Sequence, residues 1–165
     1  MILSIALDCA ASELFSEDSY KLTGENKKFS SDEMVFYMQA LVDKYEIKSV
    51  EDPFDEKDWD AWKTFTKNNN DLQIVGDDIF VTQEKILRKG IDSKVANSIL
   101  VKLNQVGTLS ETMQAISLAK NSGYKTIISH RSGETEDSFI ADLAVAVDAG
   151  PVSYTHLRAH ETKAN

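Results

Sequence analysis

Short apolar runs alternate with helix-spaced segments along this chain, and that alternation constrains the fold more than any single motif. The runs lie at residues 2–7, 47–50, 72–75, 99–103 and 126–128. After the first, Met34, Met38, Leu41, Val42 and Tyr45 recur on one helical face, with Ser30 and Glu33 reading as a capping box. Trp59, Trp62 and Phe65 form a second stripe. Ile86 and Leu87 lie in a short helix expected to open at Thr82 and close near Gly90. Thr108 and Glu111 cap a helix carrying Met113, Ile116 and Leu118, with Gly123 as its stop. Phe139, Leu143 and Val147 form the last stripe, ending at Gly150. A strand followed by a helix, five times over, predicts βα units and a parallel sheet. Nearly continuous apolar runs fit strands buried on both faces. The polar connection at residues 12–31 reads as a surface loop.

Composition narrows the function classes. The chain has 165 residues, 42% hydrophobic and 27% charged, which is globular rather than disordered. A net charge of -9 disfavours nucleic acid and anionic membranes as partners. A single cysteine, Cys9, excludes an internal disulfide and fits a cytoplasmic location. The apolar start lacks a basic n-region and is interrupted by Asp8, so it is a poor signal peptide. No apolar run reaches the roughly 18 residues of a membrane span.

Chemically capable residues sit where each apolar run stops. Asp8 follows the first, Glu51 the second, Asp77 the third, Lys102 lies near the end of the fourth, and His130 and Arg131 follow the fifth. In a parallel barrel all strand carboxyl ends meet at one rim, where active sites are built. Three carboxylates facing one another repel unless a cation joins them, and an all-oxygen set with few protein ligands favours Mg²⁺. A lysine beside such an ion can serve as a base. An arginine followed by Ser132 and Gly133 suits a phosphate or carboxylate.

The stretches ALDCAASE, SVEDPFDEKDWDAW, IVGDDIFVT, VKLNQVGTLSETMQA and SHRSGETEDSFIADLAV resemble the enolase family, in its bacterial form, over residues 2–150. The resemblance implies a partial (β/α)₈ barrel of about five βα units, similar to strands three to seven of the family, with the N-terminal domain and last strand missing. It implies a hydro-lyase, phosphopyruvate hydratase, that interconverts 2-phosphoglycerate and phosphoenolpyruvate in glycolysis with Mg²⁺. Asp8, Glu51 and Asp77 resemble the metal ligands, the last two also lying against substrate. Lys102 resembles the base that takes the proton alpha to the substrate carboxylate. Arg131 and Ser132 resemble phosphate contacts, and His130 a substrate contact. The family also implies a cytoplasmic homo-oligomer.

Where the family continues into a strand with a second active-site lysine, this chain reads PVSYTHLRAHETKAN. Residues 151–165 are therefore expected to be a tail without enolase character, artefactual or disordered, beside a barrel domain at residues 1–150. The family's acid-step glutamates and closing loops also fall outside the chain, so the isolated polypeptide is expected to be inactive and poorly stable. Rival readings are a non-catalytic binding or assembly fragment, a pseudoenzyme, or a superfamily relative acting on a non-phosphorylated acid. Taken singly, each strand-end acid reads as a solvated loop residue or helix cap, as Asp55 and Asp78 do here. Lys102 alone reads as a surface lysine, although Val101 and Leu103 beside it favour a place in the barrel mouth. Trp59 and Trp62 read as helix packing. His156 and His160, four apart, could share a metal on a helix, but the foreign look of the tail argues against it.

Overall fold

A computed structural model describes residues 4–131, 137–150 and 152–153. Strand β1 (Ala6–Asp8) leads into an excursion of three short strands, β2 (Phe15–Ser16), β3 (Ser19–Leu22) and β4 (Lys27–Phe29). Helix α1 (Ser31–Tyr45) then returns the chain to β5 (Ser49–Glu51), followed by α2 (Trp59–Asn68) and β6 (Gln73–Gly76). Next come α3 (Glu84–Ser93), β7 (Ser98–Val101), the single turn α4 (Leu103–Val106) and α5 (Leu109–Asn121). The described part ends with β8 (Lys125–Ser129), α6 (Phe139–Ala146) and β9 (Val152–Ser153).

The main sheet runs β1-β5-β6-β7-β8-β9, and every neighbouring pair is parallel. Spatial order follows chain order without reversal. That is the winding of a barrel wall; a doubly wound sheet would reverse at a switch point. The protein is thus an arc of a (β/α) barrel, as the five βα units predicted, with β9 adding a short sixth strand whose register pairs Ile128 with Val152.

Strand alternation divides the apolar side chains into two cores. Val50, Ile74, Ile99, Val101 and Ile128 pack toward the helices and join Trp62, Phe65, Leu87 and Ile116 in the larger core. Val75, Leu100 and Ile127 form a separate cluster on the opposite face. Register ties this face together: Val75 lies across from Glu51, which lies across from Asp8. The concave side of the arc therefore has an apolar floor in mid-strand and charged groups at the strand ends.

Helix α1 starts at the expected capping box: Ser30 accepts from the Glu33 N–H, and Glu33 accepts from the Ser30 N–H at 2.8 Å. Thr108 caps α5 by accepting from Glu111 N–H, and Gly123 takes a φ of +78° just beyond it. Trp62 is buried and packs edge-on against Phe54, as the packing reading of the tryptophans required. Trp59 carries the Lys89 ammonium 3.7 Å above its ring, which ties α2 to α3.

Three local expectations are corrected. Residues 12–31 are a folded excursion rather than a plain loop. Glu17 and Asp18, at φ +52° and +56°, make the two-residue turn between β2 and β3. This turn ordinarily selects Asn or Gly, so the sequence gives little sign of it. Tyr20 anchors the excursion, fully buried, donating to Asp58 Oδ2 at 2.8 Å and accepting from the Asp55 N–H at 2.9 Å. Helix α3 does not close near Gly90. It runs on to Ser93 because Lys94 supplies the left-handed cap, and Gly90 instead makes room for Phe80: a Cβ there would lie 2.4 Å from the Phe80 ring. Nor does Thr82 cap α3; its hydroxyl is committed elsewhere.

Candidate metal and acid–base site

Parallel register sets Asp8 directly beside Glu51 at the carboxyl ends of β1 and β5. Asp77 lies two residues beyond Val75, the partner of Glu51, and so projects from the same face. Lys102 lies two residues beyond Leu100 by the same alternation. Its ammonium donates to Asp77 Oδ2, and both side chains are largely shielded from solvent. The sheet thus brings four of the sequence-derived residues, Asp8, Glu51, Asp77 and Lys102, to one rim.

The electrostatics follow from this proximity. The Glu51 carboxyl is pushed up to about 8, first by burial and then by the carboxylates of Asp8, Asp77 and Asp52, with Lys102 opposing them. Burial raises the Cys9 thiol to about 12, with Asp8, Asp52 and Glu51 adding to it. Cys9 is therefore an unreactive thiol next to the acidic rim. Arg131 is exposed, but its charge reaches Asp78, where it opposes the upward push of burial and of Asp77. His130 is half-buried, with Nδ1 at 2.6 Å from the Arg131 carbonyl oxygen. Ser132, His156 and His160 lie outside the described residues.

Asp52 belongs to this rim and was missed in the sequence, where it stands as an ordinary acid after Glu51. It is buried, at φ +42°, and its two oxygens accept the N–H groups of Asp77 and Asp78, each at 2.9 Å. Burial outweighs those hydrogen bonds, and its carboxyl is raised to about 7. Among the described residues, oxygens of Asp52, Asp77 and Asp78 lie within 4.8 Å of one another. This cluster shares only Asp77 with the trio Asp8, Glu51 and Asp77. Both Asp52 oxygens accept backbone amides of the next loop, which holds Asp77 and Asp78 in place. Asp55 has the structural role expected of it, accepting from the Lys57 N–H at 2.9 Å.

The donor set fits a hard divalent cation. It is all carboxylate, its members come from three adjacent strands, and the mutual repulsion felt at Glu51 is what such an ion relieves.

An arc of (β/α) barrel with carboxylates and a lysine gathered at the strand carboxyl ends defines the catalytic-domain class of barrel proteins. Comparison with known proteins makes this specific. The model of the enolase C-terminal TIM barrel domain matches residues 2–161. An enolase from Legionella pneumophila (strain Corby) is 57% identical over 148 residues, covering 89% of this chain and 35% of that protein. The chain belongs to the enolase family. It spans about a third of the length of that curated relative.

Proposed function

We propose that this chain carries the metal and base side of an enolase active site, which interconverts 2-phosphoglycerate and phosphoenolpyruvate. Asp8, Glu51 and Asp77 hold Mg²⁺, which when bound supplies positive charge to the substrate carboxylate. Lys102, in its neutral amine form, takes the proton alpha to that carboxylate. Its ammonium pairs with Asp77, so the base is held within the ligand set and cannot swing out to solvent. Arg131, with Ser132 beside it in sequence, supplies charge and hydrogen bonds for the phosphate, and His130 a further substrate contact. Glu51 and Asp77 also lie against the substrate. A cytoplasmic setting and assembly into a homo-oligomer follow from the family. No helix among the described residues is long and apolar enough to cross a membrane.

The observation that carries this reading is the convergence of Asp8, Glu51, Asp77 and Lys102 on one rim, with Lys102 paired to Asp77. The 165-residue polypeptide is expected to bind Mg²⁺. Calorimetry with Mg²⁺ is the first test. Asp77→Ala should weaken binding by more than about a hundredfold, since losing a ligand costs more than the roughly 10–100-fold lost with an outer-shell partner. Unchanged binding in that variant would refute the ligand assignment. Activity is tested in a chimera whose matching 148 residues in the Legionella enolase are replaced by those of this chain. Turnover of 2-phosphoglycerate by the chimera supports the reading. A folded, Mg²⁺-binding chimera without turnover would favour a non-catalytic role.

A further inference from the structure

The loop after β6 carries two β-branched residues in the left-handed region, Val81 at φ +43° and Thr82 at φ +57°. Such residues avoid positive φ, so the surrounding structure must impose it. It does so through the Asp77 carbonyl, which accepts from the N–H groups of Phe80 at 3.0 Å and Val81 at 2.8 Å. The result is that Thr82, fully buried, turns its hydroxyl toward the end of β7.

That hydroxyl has one proton and a defined use for it. It accepts the Lys102 backbone N–H at 3.0 Å, so it donates its proton to Gln105 Oε1 at 2.6 Å. With its oxygen engaged in this way, the Gln105 amide must direct Nε2 the other way. It meets Asp77 Oδ1 at 3.2 Å. Asp77 thus has one oxygen held by Gln105 and the other paired with the Lys102 ammonium. Thr82 touches Lys102 through its backbone and Asp77 through Gln105, so one buried hydroxyl sets the placement of both.

We propose that Thr82 and Gln105 are positioning residues for the Asp77–Lys102 pair. Gln105 fixes which Asp77 oxygen faces Lys102 and a bound divalent cation, and Thr82 fixes the orientation of Gln105 and the strand end that carries Lys102. The inference rests on the reading of Asp77 as a cation ligand and adds the residues that orient it.

The test titrates the full 165-residue chain with Mg²⁺ by calorimetry, alongside thermal melts, for the parent and four variants. Thr82→Val and Gln105→Leu should each weaken Mg²⁺ binding by roughly five- to tenfold, the scale of one ordinary intramolecular hydrogen bond. Thr82→Ser keeps the hydroxyl and should bind within about twofold of the parent. Asp77→Asn should lose binding altogether. Because Thr82 is buried and its valine variant could unfold, the half-buried Gln105 provides an independent measure. Parent-like binding by Gln105→Leu, with Asp77→Asn inactive in binding, would overturn the positioning role and leave the ligand reading intact. Parent-like binding by Asp77→Asn would overturn both. Equal weakening by Thr82→Ser and Thr82→Val, tracking their melting temperatures, would reduce Thr82 to a structural role and overturn its part.

Discussion

The two ends of the parallel sheet use polar residues in opposite ways. At the amino end, Asn97 stitches neighbouring strands together. Its Oδ1 accepts the Ile74 N–H at 2.9 Å, its Nδ2 donates to the Leu72 carbonyl at 2.7 Å, and its own carbonyl accepts the Lys125 N–H at 3.0 Å. The charges there, Lys48, Asp71 and Lys125, are exposed. At the carboxyl end, carboxylates from adjacent strands confront one another around a single ammonium, and two of them are raised to about 8 and about 7. At one end a neutral amide satisfies backbone groups of the neighbouring strands. The other gathers carboxylates that burial, and then their shared charge, push toward the protonated form. On the proposed function, the charge gathered at the carboxyl-end rim serves chemistry, whereas the amide pairing at the amino end serves stability.

The comparison is broken most forcefully at Lys102. In the chimera, Lys102→Ala should lower turnover by about 10²–10⁴-fold, the range for loss of a positioned base. Its urea unfolding midpoint should fall as well, because the lysine offsets the rim carboxylates and its removal leaves the shielded Asp77 without its charge partner. A variant that kept more than about a tenth of parent turnover would show that the rim lysine is not the base.

A loss of stability alone is expected from Asn97→Ala. It leaves the Ile74 N–H and the Leu72 carbonyl without their side-chain partner, which costs about 1–3 kcal/mol for a buried unsatisfied group. Urea unfolding should register that loss while Mg²⁺ affinity stays unchanged. If Mg²⁺ binding weakened along with stability, the two ends would be one coupled unit and the division drawn above would be false.

The sequence displays the two ends unequally. Asp8, Glu51, Asp77 and Lys102 were legible because a strand that ends in a charged residue interrupts an apolar run, and a parallel sheet brings such interruptions together. The helices were legible where caps are local, as at Ser30 and Thr108. The three-strand excursion was hidden because its turn residues, Glu17 and Asp18, adopt positive φ against their usual preference. Thr82 and Gln105 were hidden for a different reason. Their contacts span 20 to 28 residues, and a threonine before a helix looks like a cap until its hydroxyl is seen to bond elsewhere. Asp52 looks like any loop acid, and only the fold shows both its oxygens bound to backbone amides.

The finest division between the ends lies in their response to pH. Glu51 moves from an ordinary value of 4.5 to about 8 in the folded chain, and Asp52 from 3.8 to about 7. Without metal, the folded state therefore holds protons that the unfolded state has released. Stability from these two groups is complete below the unfolded values and declines as pH rises toward the folded ones. Metal reverses the direction. Mg²⁺ needs the Glu51 carboxylate ionised, so binding below about pH 8 must displace a proton. Affinity should then rise by close to tenfold per pH unit, about 1.4 kcal/mol, and level off above that point. Asp52 adds little to this slope, since its oxygens face the amides of Asp77 and Asp78. Calorimetry over about pH 6 to 9, in two buffers of different ionisation enthalpy, counts the protons released. Glu51→Gln should flatten the profile as well as weaken binding, whereas Asn97→Ala should leave the slope untouched. A parent profile already flat at pH 7 would mean that Glu51 is ionised before the metal arrives, and that the rim does not hold the repulsion that sets it apart from the base of the sheet.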